Sequence, residues 1–193
     1  MNLSMNDDIV AVIRDFVEAE CRKPTSKYGY DPFSYHFTPV ADYAGKLSDK
    51  LGGDKEVILI AAWLHDIGSI VHGRENHHET GAIIAREKLS ELGYPEERVA
   101  LVEVCIRNHR GSVPRERMTL EEQIVAEADV LSAFENISGI FKAAFVYEGL
   151  DQGQAIRAVR KKLENKWNQI HFESSRELVR PKYDAVKILL SEI

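Results

Sequence analysis

The stretch Ala61-Ala62-Trp63-Leu64-His65-Asp66-Ile67-Gly68 decides how the chain is read. An apolar run from Val57 to Leu64 ends in a histidine and an adjacent carboxylate, and a glycine follows two residues later. The run has no periodic polar face, so it predicts a helix buried nearly all round. His65 and Asp66 then lie at the end of that helix, where little water reaches them. Buried polar groups need partners, and a divalent metal satisfies an imidazole nitrogen and a carboxylate oxygen together. Successive helix residues point about 100° apart, so an ion shared by both must lie near their common edge. Its other ligands must come from elsewhere in the chain.

Two residues elsewhere in the chain meet that requirement. His36 stands just before a helix expected from about Pro39, and Asp129 interrupts the apolar face of a helix running from Leu120 to Phe134. A carboxylate beside Ala128, Val130 and Leu131 is costly unless it is paired or ligated. His36, His65, Asp66 and Asp129 together offer two nitrogens and two carboxylates. That set suits Mn²⁺, Fe²⁺, Ni²⁺ or Zn²⁺, with positions left for water and substrate.

The surrounding pattern is helical throughout. Ile9, Val10, Ile13, Phe16 and Val17 recur at helical spacing behind Asn6-Asp7-Asp8, which can cap them. Residues 21–33, with Pro24, Gly29 and Pro32, form a loop crowded by Tyr28, Tyr30, Phe33 and, just beyond, Tyr35. Val40 to Leu51 mark a helix closed by Gly52-Gly53, and Asp54 caps the central one. A polar loop is expected from Gly68 to about Glu79, then a helix from Gly81 to Leu92 and another starting at Pro95-Glu96-Glu97. After a basic loop, 111–119, a long helix should reach about Tyr147, and two more complete the chain. The expectation is an all-α, compact single-domain helical bundle over residues 1–193, with a motif-bearing core at about 34–134 and a helical extension at 135–193.

Composition agrees with a globular protein. The chain has 193 residues, 44% hydrophobic and 29% charged, with net charge −6. That acidity leaves no electrostatic footprint for a nucleic acid duplex. No apolar run reaches the roughly 18 residues of a membrane span, and the acidic N-terminus does not read as a signal peptide. Cys21 and Cys105 are too isolated for a disulfide scaffold or a Cys-metal site. These features point to a cytoplasmic protein with no membrane partner.

The ordered pattern His36 … His65-Asp66 … Asp129 resembles the HD superfamily of metal-dependent phosphohydrolases. The resemblance extends to Val40 at the head of its helix, to the apolar helix running into His-Asp-Ile-Gly, and to Ala-Asp followed by Leu and Ala-Phe. It covers about Ser34 to Phe134, and the helical continuation resembles the stand-alone bacterial and archaeal members. It implies cleavage of a phosphoester or phosphoanhydride of a small phosphorylated metabolite, with a nucleotide the leading candidate, by attack of metal-bound water. One divalent ion (Mn, Fe, Ni, Zn or Mg) is expected, and a second is possible. Asp66 would both ligate the metal and accept a proton from the attacking water.

His78 and His109 fall where dinuclear members carry extra histidine ligands, and the His-x-x-Gly spacing from His78 to Gly81 resembles theirs. With one metal, these two are expected to bind phosphate or act as general acid. The alternatives are a dinuclear phosphodiesterase using both, or a nucleotide-binding signalling module without hydrolysis. Arg74, Arg110 and His77 are assigned to substrate contact, Arg115 and Arg117 to a solvated loop. Otherwise His72 and His77 read as exposed loop residues. No glutamate closely follows His65-Asp66, leaving Glu75 or Glu79 as proton donors. The apolar stripe of the last helices could be core or the surface of a homodimer.

Overall fold

The computed structural model describes residues 8–110 and 116–191. Asn6 and Asp7 of the proposed first cap, Arg115, and part of the basic loop lie outside the described residues. Among the described residues every regular element is helical, as the periodicity predicts. By its internal packing the chain divides into two compact units, Met1–Asp129 and Val130–Ile193.

The first unit is built on the helix read from the apolar run. Helices α1 (Ile9–Arg22), α2 (Thr38–Leu51) and α3 (Lys55–Leu64) come first, followed by α4 (Ile67–His72), α5 (His77–Glu91) and α6 (Glu96–Asn108). Most of α7 (Leu120–Ser132) also belongs to it. In α3, Val57, Ile58, Ile60, Ala61, Ala62, Trp63 and Leu64 are buried, and α1, α2 and α6 pack against this helix. Each fully buried Ile or Leu contributes roughly 1.5–3 kcal/mol through burial alone, so α3 is the hydrophobic axis of the unit. Asp54 caps it by accepting from Val57 N–H, and Asp8 caps α1.

Two boundaries differ from the sequence reading. The stretch after Asp66 is helix at once, and only residues 73–76 form a loop before α5, which starts at His77. The helix expected to run to Tyr147 ends at Ser132. Asn136 opens α8 (Ile137–Lys142) by accepting from Gly139 N–H, so a side-chain cap competes with helix continuation. His36 sits on a π-helical turn, Phe33–Phe37, at the head of α2, with the Thr38 hydroxyl donating to the Phe33 carbonyl. Such single π turns are frequent at functional sites, because one extra residue per turn re-aims a side chain.

The second unit holds α8, a second π turn (Ala143–Tyr147), α9 (Gln152–Asn168) and α10 (Glu173–Leu189). Asp151 and Gln154 form a reciprocal capping box at the start of α9. Ala155, Val159 and Leu163 of α9 and Val179 and Val186 of α10 are buried. Trp167 and Tyr183 stack with ring centres 4.3 Å apart. No single helix among the described residues is long and apolar enough to cross a membrane.

Candidate metal centre

The corner between α3 and α4 is made possible by glycine. A Cβ on Gly68 would stand 2.2 Å from the His77 carbonyl oxygen, 2.5 Å from Thr80 Oγ1 and 2.6 Å from Gly81 N. Only a residue without a side chain lets the start of α4 touch the start of α5, and this contact brings His77 beside Asp66. Asp66 occupies the N-cap position of α4, yet its side chain makes no capping hydrogen bond. Its carboxylate turns instead into a cluster of imidazoles.

The two oxygens of Asp66 face different neighbours. Oδ2 lies 3.3 Å from His36 Nε2 and 3.9 Å from His65 Nε2. Oδ1 lies 3.2 Å from His77 Nε2 and 3.5 Å from His109 Nε2. Asp129 Oδ1 is 3.8 Å from His36 Nε2. Two groups of metal-competent ligands result, His36–His65–Asp66 and Asp66–His77–His109, with Asp66 common to both. The quartet read from the sequence is thus brought together, Asp129 joining through His36.

Three of the imidazoles are held by the main chain in one orientation. His65 Nδ1 lies 2.7 Å from the Ala62 carbonyl, His77 Nδ1 2.8 Å from that of Arg74, and His109 Nδ1 2.6 Å from that of Ile106. A carbonyl only accepts, so each Nδ1 carries a hydrogen, and each ring turns its Nε2 atom, the one left to ligate when the ring is neutral, into the cluster. Anchoring of this kind fixes tautomer and ring angle in metal-ligating histidines. His65 and His109 end α3 and α6, so the same bonds satisfy carbonyls of the last helical turns.

The electrostatics favour a cation. Burial pushes His65 down to about 4, keeping its ring neutral and able to ligate. For Asp66, burial alone would raise the carboxyl, but the neighbouring imidazoles, His65 first and then His109 and His36, hold it well below the usual range. Burial likewise disfavours charge on His109, and its contact with Asp66 outweighs that and raises it. Asp66 Oδ1 is buried and meets no donor in good hydrogen-bonding geometry, although His77 and His109 lie close. His36 Nε2 and His65 Nε2 are 2.9 Å apart. With His65 Nδ1–H committed to the Ala62 carbonyl, the pair is held by His36 Nε2–H donating to His65 Nε2, a proton that a bound cation would replace. The donor set therefore fits divalent cations bound by nitrogen and oxygen.

The structure redistributes the other expected residues. His77, read as an exposed loop residue, is buried in the first turn of α5 and belongs to the second group. His78, the expected partner of His109, belongs to neither group, and its Nε2 lies 3.7 Å from Glu79 Oε1. Counting back from Gly81 admits both histidines, since positions three and four apart share a helix face. The choice is made by Asn76, whose left-handed backbone (φ 49°) precedes α5, so that the helix starts at His77, four residues earlier than the sequence suggests. Glu79 pairs with Arg107 at 3.0 Å and Glu75 is exposed. Arg74 is exposed and Arg110 half-buried. Tyr28 and Tyr35 are exposed, while Tyr30, Phe33 and Trp63 stack in series at 5.6 Å spacing. Phe33 and Tyr30, both half-buried, thus carry the stack from Trp63 toward the surface.

The HD domain family matches residues 33–133. Ribonuclease Y of Rubrobacter xylanophilus is 30% identical over 153 residues, covering 72% of this chain and 28% of the relative. The chain thus spans little more than a quarter of that protein's length. Bacillus subtilis YpgQ, solved in complex with ADP, superposes with a TM-score of 0.70 at 21% identity, covering 93% of each chain. An HD-superfamily hydrolase from Bacillus thuringiensis gives 0.71 at 21% identity, covering 95% of this chain and 93% of the other. These two likenesses are of fold. With the family match over the segment that carries His36, His65-Asp66 and Asp129, the chain belongs to the HD domain family of metal-dependent phosphohydrolases.

Proposed function

We propose that the chain hydrolyses the phosphoester or phosphoanhydride of a small nucleotide at a centre of two divalent cations sharing Asp66. The observation that carries this reading is the division of the Asp66 carboxylate, one oxygen toward His36 and His65, the other toward His77 and His109. His36, His65, Asp66 and Asp129 would hold the first cation; Asp66, His77 and His109 would hold the second. Bound there, divalent cations lower the pKa of water and withdraw charge from a phosphoryl group.

The protein's own part is orientation and charge. His65, His77 and His109 present Nε2 atoms whose direction the main-chain carbonyls have already set, so little reorganisation is needed on binding. Asp66 and Asp129 supply the negative charge that offsets the cations. Asp66, with part of its side chain exposed, would also accept a proton from attacking water. His36, Asp66 and Asp129 retain solvent access while His65 is sealed off, so substrate would approach from the His36–Asp129 side. Arg74 and Arg110, on the two chain segments next to His77 and His109, would take phosphate oxygens. The ADP complex of YpgQ supports a nucleotide.

A phosphodiesterase is the second reading, favoured by the similarity to ribonuclease Y and by the paired ligand groups. A product screen that counts free orthophosphate and pyrophosphate and also resolves cleaved diesters separates the two. It would cover mono-, di- and triphosphates, cyclic nucleotides and a short single-stranded RNA, each with Mn²⁺, Ni²⁺, Mg²⁺ and Zn²⁺, with Asp66→Ala in parallel. Orthophosphate or pyrophosphate released from mononucleotides, and abolished in the variant, is the expected result. Cleavage confined to the cyclic nucleotides or RNA would replace it with the second reading. Silence from protein that still binds cation and nucleotide would leave a signalling module.

A further inference from the structure

His109 stands at the end of α6, where the carbonyls of the last turn have no helical partner. The Ile106 carbonyl is taken by His109 Nδ1 at 2.6 Å. The carbonyls of Asn108 and Arg110, on either side of His109, are both taken by the guanidinium of Arg117, Nε donating at 2.9 Å and Nη2 at 3.2 Å. Arg117 is half-buried, and burial works against its charge, with Glu122, Glu127 and Asp129 opposing that loss.

A second tie reaches the same segment. Asn108 Nδ2 donates to Glu122 Oε1 at 2.6 Å, and Glu122, itself 1% exposed, accepts through Oε2 from Met118 N–H and Thr119 N–H. Gln123 Nε2 donates to the Arg117 carbonyl. Residues 117–123 are thereby fastened to the end of α6 from two sides, and the ring between them is His109.

We propose that Arg117 is a positioning residue for the second cation site: its fork, closed over the main chain on both sides of His109, sets the direction of His109 Nε2 toward Asp66. The proposal rests on the two-cation reading above. The sequence assigned Arg117 to a solvated surface, yet a solvated arginine would not spend two donors on one turn of main chain. The planar fork is essential to this role. A lysine ammonium carries the charge but cannot span two carbonyls in a fixed plane.

The test is calorimetric titration of Mn²⁺ into metal-free wild-type protein, Arg117→Gln and Arg117→Lys, with thermal melting of each metal-free protein. Wild type should take up two cations. Arg117→Gln should leave one uptake event within a few-fold and weaken the other, the one that His77→Ala also weakens, on the order of 10–100-fold, the usual effect of losing an outer-shell partner. Arg117→Lys should fall between the two. Equal affinities at both sites in wild type and Arg117→Gln would overturn the proposal, as would equal weakening of both sites. Should Arg117→Gln fail to fold, wild-type affinity at both sites in Arg117→Lys would overturn it. A single cation in wild type would instead sink the two-cation reading on which the proposal stands.

Discussion

The two sides of Asp66 are built by different means. On one side, His36 and Asp129 come from elements far apart in sequence and meet His65 at the end of the buried helix α3. On the other, His77 and His109 come from the start of α5 and the end of α6, two helices packed along one another. The first side depends on burial: a polar residue at the edge of an apolar run has nowhere else to turn. The second depends on backbone geometry, namely the Gly68–Gly81 contact, the left-handed Asn76 and the ties around His109. Burial leaves a mark in the pattern of residue types, whereas a turn of main chain leaves almost none.

The largest effect should come from the residue common to both sides. Asp66→Ala removes an oxygen from each ligand group, so both cations should be lost and turnover should fall by at least ~10³-fold, several kcal/mol of barrier. A variant that still takes up one Mn²⁺ with near-native affinity would mean that the two sides do not share Asp66. Single-side variants sharpen the comparison. His36→Ala should weaken one cation and His77→Ala the other, each costing on the order of 10²-fold or more in turnover. His78→Ala should leave both uptake events intact. If His78→Ala removes a cation and His77→Ala does not, the grouping around Asp66 is mistaken.

How far the sequence reached follows the same division. The all-helical fold, the buried α3 and the capping by Asp54 were legible because each rests on local periodicity or on a side chain with few uses. His36, His65, Asp66 and Asp129 were legible because each interrupts or ends an apolar context, and their order resembles a known family. His77 was not, because two adjacent histidines precede Gly81 and only the backbone of Asn76 decides between them. Arg117 was not, because nothing in a loop sequence shows that a guanidinium will meet the carbonyls of a helix end. The boundary after Ser132 was missed because apolar spacing continues across it while Asn136 opens a new helix.

Proton uptake tests the first side without a metal. His65 sits at about 4 in the folded protein against an ordinary value of 6.5. Below 6.5 the unfolded chain therefore binds a proton there that the folded chain does not, and acid favours unfolding. Stability of the metal-free protein should fall as pH drops from about 6.5 to about 4, by on the order of 3 kcal/mol. His109 is raised, so its stabilisation is present below the ordinary histidine range and lost as pH rises through its folded value, in a separate and higher window. Asp66 is depressed, and its stabilisation goes only at lower pH still, as its folded value is crossed. Urea unfolding from pH 7 to pH 5 would show the His65 slope, and the slope should be missing in His65→Asn. An unchanged slope in that variant would assign it elsewhere.

The glycine contact tests the second side. Gly68→Ala must displace the His77 carbonyl or the start of α5, because the added carbon would stand 2.2 Å from that oxygen. Overpacking of this kind costs about 1–3 kcal/mol, which for a chain of this size is a fall of roughly 2–4 °C in Tm per kcal/mol. The displacement should weaken the cation held by His77 more than the one held by His36. Equal weakening would show that the two sides move as one body.

The smallest effect belongs to the exposed rim. Arg74 contributes its carbonyl to orient His77, so its main chain serves the centre whatever its side chain does. Arg74→Ala keeps that carbonyl and removes only an exposed guanidinium, whose pairing with a phosphate in water is worth roughly 1 kcal/mol or less. KM for a nucleotide should therefore rise by no more than about five-fold with kcat unchanged, and the rise should shrink as salt screens the charge. A fall in kcat at saturating substrate would instead mean that the loop carrying Arg74 moves when its side chain is lost, and His77 with it. In that case the rim and the second ligand group would be one structure.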